Sequence, residues 1–220
     1  MAKKRFISPL LRESNTDPAE IKADWTVENV VATVAIELGA PGEKIDLNQI
    51  ARKYADCEYN PERFPGLVMR LADPKATILV FSTGKMVVTG MRDASEAKNV
   101  VTSVIKKMKQ VKVNIEAEPV ITIQNIVASG DLHMAIDLNE ASVLMENAMY
   151  EPEVFPGLIY RMQEPKTVFL IFSTGRIVCT GAKTKEIVGQ AVEKLVEAVK
   201  ELDLAMVKGN TGTGDDDDFI

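Results

Sequence analysis

Residues 81–90 read "FSTGKMVVTG" and residues 172–181 read "FSTGRIVCTG". Apolar residues flank "STG" on both sides, the pattern of a tight turn joining two strands. The Gly84-Lys85 pair is not a phosphate-cradling loop. That loop needs a glycine five residues before its Gly-Lys glycine and a hydroxyl directly after the lysine. Here Leu79 and Met86 occupy those places, and the second copy has Arg176 for the lysine.

Working outward, 64–90 laid on 155–181 at an offset of 91 gives fifteen identities in twenty-seven positions. "IDLN" at 45–48 recurs at 136–139 with the same offset. "VENVVA" at 27–32 pairs with "IQNIVA" at 123–128 at an offset of 96, so the first copy carries five extra residues within "ELGAPGEK" (37–44). Two long copies mean duplication, since a solenoid stacks three or more shorter units. The expected division is a flexible extension at 1–24, a first repeat at 25–112, a second at 113–206 and an acidic tail at 207–220. "ESNTDPAE" (13–20) has the composition of unstructured chain.

Each copy predicts the same order of elements. A strand (27–35; 121–128) leads to a helix with Asp46 or Asp137 as N-cap, its side chain accepting a free backbone N–H. Three or four strands follow, "FPGLVMRL", "ATILVFS" and "KMVVTGM" in the first copy. A long helix closes each copy. Across 93–111, Ala97, Val100, Val101, Val104, Ile105 and Met108 recur at spacings of three and four, as do Ile187, Ala191, Val192, Leu195, Val196 and Val199 in the second. The fold class is α+β, an antiparallel sheet with helices on one face.

Such a sheet normally alternates apolar and polar residues, because its second face is wet. These strands do not. Val30, Ala32, Ile78, Val80, Met86 and Val88 can point one way, toward the helices. Asn29, Val31, Thr33, Thr77, Leu79, Phe81, Val87 and Thr89 then point the other, rimmed by Lys85. The second copy repeats this with Asn125, Val127, Leu170, Phe172, Val178 and Thr180. Two copies joined edge to edge make one broad sheet with a large, mostly apolar open face, and a patch of that size marks a binding surface.

The chain has 220 residues, 46% hydrophobic, with a net charge of −6. No run is long enough for a membrane helix, and the start lacks a signal peptide's apolar centre. The expectation is a soluble intracellular protein with no membrane partner. Cys57 and Cys179 match no metal spacing; Cys179 reads as a small buried apolar residue and Cys57 as inert. Segment 64–92 sets Arg70, Lys75, Lys85 and Arg92 against Asp73 alone. Segment 155–183 sets Arg161, Lys166, Arg176 and Lys183 against Glu164 alone. An acidic chain with two matched basic segments can still bind a polyanion.

"EYNPERFPGLVMRLADPKATILVFSTGKMVVTG" (58–90) and "YEPEVFPGLIYRMQEPKTVFLIFSTGRIVCTG" (150–181) resemble the two direct repeats of the TATA-box-binding protein family. The resemblance covers residues 25–205 and is specific, because several motifs occur twice in the same order. The short N-terminal segment and acidic tail resemble the archaeal form. The resemblance implies a pseudo-symmetric saddle, a curved antiparallel sheet with helices on the convex face and the concave underside in a DNA minor groove. The family is itself a founding example of wedge insertion in that groove, so the wedge mechanism is carried over with the resemblance.

On that resemblance Phe64, Phe81, Phe155 and Phe172 match the wedges, a pair at each end. Opening a base step costs a few kcal/mol, and burying a phenylalanine returns roughly 1.5–3 kcal/mol, so two rings per kink suit the task. Asn29 and Asn125 match the central pair, beside Thr89 and Thr180. Val31, Leu79, Val87, Val127, Leu170 and Val178 match the groove floor. Such a surface donates to the adenine N3 and thymine O2 acceptors and has no place for the guanine amine. Arg70, Lys75, Lys85, Arg92, Arg161, Lys166, Arg176 and Lys183 match phosphate contacts; about six engaged cations give a slope of log K on log salt near −5. Glu151, Glu153 and Val154 match the loop that binds transcription factor B, through which RNA polymerase is reached indirectly. No cofactor is implied. The implied role is transcription initiation at an A/T-rich promoter, nucleoid-associated in the cytoplasm, or nuclear in a eukaryote.

Taken singly, phenylalanines in strands are usually core, a strand asparagine is usually an edge residue and a lysine a solvated charge. Their doubling at matched positions favours the surface reading. The alternative is a pseudo-symmetric protein that uses the apolar face to bind a small ligand or itself; the free chain can also form a homodimer through that face. An enzyme is the weakest reading, since one histidine and no nucleophile beside a base leave little chemistry. Trp25 and His133 read as structural. The tail "GNTGTGDDDDFI" (209–220) reads as solvated, or as lying near the basic underside and competing with weakly bound DNA.

Overall fold

The computed structural model describes residues 23–40 and 42–206. The expected acidic tail, and all but the last two residues of the expected N-terminal extension, lie outside the described residues.

The first half contains β1 (Asp24–Ala35), α1 (Leu47–Lys53), β2 (Cys57–Glu58), β3 (Leu67–Ala72), β4 (Lys75–Val80), β5 (Lys85–Met91) and α2 (Glu96–Gln110). The second contains β6 (Val120–Asp131), β7 (Ala135–Ile136), α3 (Leu138–Leu144), β8 (Ala148–Met149), β9 (Leu158–Met162), β10 (Thr167–Ile171), β11 (Arg176–Ala182), α4 (Lys185–Glu201) and β12 (Ala205–Met206). Ten strands form one antiparallel sheet in the order β2-β3-β4-β5-β1-β6-β11-β10-β9-β8. The halves meet where β1 pairs with β6, from Asp24 opposite Asp131 to Ala35 opposite Val120. The sheet is curved and unclosed, with β2 and β8 as free edges.

Local chemistry explains the helix starts. Asp46 accepts the N–H groups of Asn48 and Gln49 at 3.0 and 3.2 Å, and Asp137 those of Asn139 and Glu140, both at 3.0 Å. Both N-caps stand where the sequence puts them. Helix α2 begins later than expected, at Glu96, because the Asp93 side chain takes the Ser95 N–H at 2.9 Å and holds a turn ahead of it.

One layer of core lies between the helices and one sheet face. Val30, Ala32, Ile78, Val80, Met86 and Val88 are buried against Ala97, Val100, Val101, Val104 and Met108. Ile126, Ala128, Phe169, Ile171, Ile177 and Cys179 meet Val188, Ala191, Val192, Leu195 and Val199 in the same way. Ile105 and Ile187 sit at the margin and are only partly covered.

The two central strands are longer than expected, starting at Asp24 and ending at Asp131. Their pairing shifts register between Val27 and Asn29 and again between Val31 and Ala32, which makes Glu28 and Gln124 bulges. A bulge reverses which face the following side chains meet. Trp25 and Val27 therefore pack on the core side, although they fall on the odd positions that Asn29 and Val31 use for the open side.

The five extra residues are a local detour. Ile36 N–H bonds Gly84 O at 3.2 Å and Ile45 N–H bonds Ser82 O at 2.8 Å; their counterparts Leu132 and Ile136 bond Gly175 O and Ser173 O, both at 2.9 Å. The path therefore leaves and rejoins the turn at equivalent points. Between them Leu38 bridges Ile115, whereas the second half has the β7–β12 pair there. Among the described residues no helix is long and apolar enough to cross a membrane.

Candidate nucleic-acid interface

At the centre of the open face stand Asn29 and Asn125, brought together by the β1–β6 register: Asn29 lies opposite Val127 and Val31 opposite Asn125. The Gly90 N–H donates to Asn29 Oδ1 at 2.8 Å, and the Gly181 N–H to Asn125 Oδ1 at 2.7 Å. Those backbone donors fix which amide atom is oxygen. Gly90 and Gly181 have φ of 90° and 96°, a conformation that only glycine adopts without strain. One amide hydrogen of each asparagine donates to Thr89 or Thr180 Oγ1, at 3.1 and 3.0 Å. The other has no partner among the described residues, so each amide is a half-buried, oriented donor facing outward.

The rows on either side follow strand register. Val68, Leu79, Val87, Thr33 and Thr122 lie side by side across five strands. Ile159, Leu170, Val178, Ser129 and Thr26 form the matching row. All the expected floor residues, Val31, Leu79, Val87, Val127, Leu170 and Val178, lie half-exposed on this face, with Thr89 and Thr180. The sequence reading missed Val68 and Ile159, which the period-two pattern of "LVMRL" and "LIYRM" could have supplied.

At each end two phenylalanine rings meet edge to face. Phe64–Phe81 and Phe155–Phe172 have the same centroid distance, 5.9 Å, and the same interplanar angle, 65°. Phe64 is 37% exposed and the other three are half-buried. Gly66 and Gly157 make room for them: a Cβ there would stand 2.6 Å from Phe64 Cε1 or 2.7 Å from Phe155 Cε1. Beside each pair opens a depression. The first, about 710 Å³, is lined by Phe81, Pro65, Val87 and Thr122 among others. The second, about 1040 Å³, is lined by Phe172, Pro156, Val178 and Thr26. The prolines also escaped the sequence reading, although "FPG" occurs twice.

The eight expected cations are all exposed. Arg70 is bonded to Glu58 at 3.2 Å, and Arg92 stands 3.7 Å from Glu28. Lys75, Lys85, Arg161, Lys166, Arg176 and Lys183 carry no ion pair among the described residues. Glu28 itself lies on the open face. Hydrogen bonds from the Ser129 hydroxyl, at 2.7 Å, and then Thr26 hold its pKa below the ordinary value.

Glu151, Glu153 and Val154 occupy a turn closed by Val154 and Phe155 N–H bonds to Glu151 O, both 2.9 Å. Val154 is 80% exposed there, and Met149 on the edge strand β8 is exposed as well. Cys57 is half-buried, its thiol pushed up to about 11 by burial and then by Asp56; burial alone does the same to Cys179. Trp25 packs beneath Gly189 of α4 and edges the second depression. His133 is exposed, with Nε2 2.9 Å from Asp24 Oδ2.

Fold and site together define a two-repeat saddle with an open, apolar, cation-bordered face. A family model described as "Transcription factor TFIID (or TATA-binding protein, TBP)" matches residues 24–111 and again 120–202. A TATA-box-binding protein of Pyrobaculum aerophilum is 48% identical over 184 residues, covering 84% of this chain and 90% of its own. One from Sulfolobus acidocaldarius is 46% identical over 187 residues, covering 85% and 92%. The solved structure of Methanococcus jannaschii TBP superposes with a TM-score of 0.72 at 39% identity, over 81% of this chain and 99% of that one. The chain belongs to the TATA-binding protein family, in the archaeal branch of its relatives, a family of transcription factors and not of enzymes.

Proposed function

We propose that this chain is a transcription initiation factor that binds the minor groove of an A/T-rich, TATA-type promoter element through its open face and bends it. One observation carries the reading: two asparagine amides, oriented by backbone donors, hold spare N–H groups at the centre of an apolar floor that ends on both sides in a paired-phenylalanine wedge. The spare donors match the acceptors shared by both A·T orientations, and the floor offers nothing to a guanine amine. Residues 25–112 and 113–206 act as the two repeats, each supplying one wedge pair and one cation quartet. The bent duplex is presented to transcription factor B, which docks on Glu151, Glu153 and Val154 and brings RNA polymerase indirectly. Without DNA the same face pairs two copies of the chain, and a duplex separates them.

Gel-shift titration on a TATA-type duplex and its G·C-substituted counterpart tests this. Preference for the A/T duplex is expected, with a slope of log K on log salt of about −5 from the six unpaired cations. Equal affinity for both duplexes overturns the reading.

A further inference from the structure

One place on the helix side is filled in the first repeat and open in the second. In the first, the Lys107 ammonium stands 4.4 Å above the Tyr54 ring and meets Asp56 at 2.7 Å. The Tyr54 hydroxyl closes the arrangement by donating to Gln110 Oε1 at 2.7 Å. At the offset of 91 that relates the repeats, Lys107 becomes Ala198, Asp56 becomes Asn147 and Gln110 becomes Glu201. Tyrosine and methionine change places, since Tyr54 and Met69 answer to Met145 and Tyr160. What remains between α4, the end of β9 and the loop before β8 is a depression of about 390 Å³. Tyr160 lines it, with the exposed carboxylates of Glu146, Glu164, Glu197 and Glu201, none of them ion-paired among the described residues. Two cations also line it. Arg161 leaves on the open side with Ile159, two residues before it, and Lys194 is committed to Glu164 O at 2.8 Å. Glu193 and Lys200 flank the opening on α4, and Lys200 is already engaged. Burial, and then the Glu146 carboxylate, push the Tyr160 phenol above its ordinary pKa. The second repeat keeps an aromatic ring and gains carboxylates where it has lost the cation.

We propose that residues 3–12 of this chain, "KKRFISPLLR", dock on this depression and supply the missing cation to Tyr160 and the glutamates around it. The segment carries Lys3, Lys4, Arg5 and Arg12 and no acidic residue. It lies outside the described residues, but its point of attachment does not. Ala23 and Trp25 pack on the core side, and Trp25 sits beneath Gly189 of α4. From Gly189 to Glu201 the helix runs about 18 Å. Eleven residues carry the chain from Ala23 back to Arg12. They reach at most about 36–40 Å, and as flexible chain they average roughly 17–20 Å. Their charges suit a tether, since Glu13, Asp17 and Glu20 against Lys22 have no attraction to an acidic surface. A cation over an aromatic face with carboxylates beside it is the arrangement the first repeat already holds. A duplex is the competing destination for a basic arm. The open face, however, carries eight exposed cations of its own, whereas among the described residues no cation stands over Tyr160.

The experiment uses the full chain with a spin label on Ser8→Cys in a Cys57→Ser background, read by nuclear magnetic resonance. The amide signals of Ala198 and Glu201 should weaken by about twofold or more at low salt, where surface charges are least screened, while those of α2 stay sharp. Lys3→Glu, Lys4→Glu and Arg5→Glu together should abolish the broadening. Glu197→Lys with Glu201→Lys should do the same, and both positions are exposed, so the fold is not at risk. Combining the two sets should restore it, which a merely structural disturbance would not do. Sharp α4 signals in the parent chain, or broadening indifferent to both reversals, overturn the proposal. So does broadening seen only between a spin-labelled chain and a separate isotope-labelled one, because the segment then sits on a second copy. In gel shift, Lys3→Gln with Lys4→Gln and Arg5→Gln should leave affinity for a TATA-type duplex within about twofold, since no phosphate contact is lost. A larger loss together with sharp α4 signals makes the segment a DNA arm and overturns the docking. Loss of A/T preference in the parent chain sinks the functional reading instead and leaves the docking untouched.

Discussion

The hairpins and the long helices of the two repeats have diverged by different rules. The hairpin segments share fifteen of twenty-seven residues, whereas α2 and the part of α4 aligned with it share two of fifteen. The helices still bury matching positions: Ala97 and Val188, Val100 and Ala191, Val104 and Leu195, Met108 and Val199. Within the hairpins the contrast is sharper. On the core side Met69 faces Tyr160 in the alignment, Ile78 faces Phe169, Met86 faces Ile177 and Val88 faces Cys179. On the open side Phe64, Arg70, Leu79, Phe81, Val87 and Thr89 recur unchanged. A core accepts any apolar residues that fill its volume. Folding alone gives no reason to keep identity on the face without a core, so what is kept there answers to something outside the chain.

The strongest way to break that contrast is to remove a wedge pair. Phe155→Ala with Phe172→Ala should lower affinity for a TATA-type duplex by about a hundredfold or more, since each ring contributes roughly 1.5–3 kcal/mol and tenfold is 1.4 kcal/mol. Bending, read by energy transfer between end labels, should fall with it. Both rings are partly exposed, so thermal stability should change far less than for core truncation. An unchanged bend would remove the wedge assignment.

Asn125→Asp separates recognition from folding. The carboxylate keeps an oxygen for the Gly181 N–H, so the strand ending stays satisfied. It replaces the outward donor with an acceptor, facing base acceptors. The A/T-over-G·C preference should fall by about 1–3 kcal/mol in competitive gel shift, with the melting temperature nearly unchanged. A large loss of stability with preference retained would make the asparagine a structural strut only.

Much of this was legible in the sequence because it is written twice. One phenylalanine in a strand reads as core; two pairs at matched positions on the parity opposite the helix-facing residues do not. The N-caps and helix faces followed from spacing alone. The bulges at Glu28 and Gln124 were not legible, since a bulge is a property of a strand pair and not of either strand. They turn Trp25 and Val27 to the core side. The pairing of Asp24 with Asp131 was hidden for the same reason: the two are far apart in the chain, and only the β1–β6 register sets them side by side. The pairing of Arg70 with Glu58 likewise arises across two strands.

The contrast also predicts tolerance. Lys106→Glu places on α2 the residue that α4 has at the equivalent exposed position, Glu197. Its effect on stability should stay within about 0.5 kcal/mol, and DNA affinity should be unchanged, because this surface is on the helix side of the sheet. A loss of DNA affinity here would show that the helix side shares in binding, and would blur the two-face division.

The smallest effect concerns where the halves are not alike. Lys185 Nζ meets Asp93 Oδ2 at 2.5 Å, joining the start of α4 to the turn after β5. The equivalent positions are Thr184 and Ala94, so the tie exists once and not twice. The Lys185 hydrogen bond, and then the Ser95 N–H, hold the Asp93 pKa well below the usual carboxylate range. A carboxyl lowered on folding stabilises the folded chain above its unfolded pKa, about 3.9, and that contribution is lost as pH falls toward the folded value. Asp93→Asn should therefore lower the melting temperature slightly at pH 7, with the gap to the parent chain closing as the pH drops below about 4. Exposure keeps the effect small, and added salt should shrink it further. A gap that persists unchanged into acid would mean that the turn at Ser95, and not the charge between the halves, is what Asp93 supports.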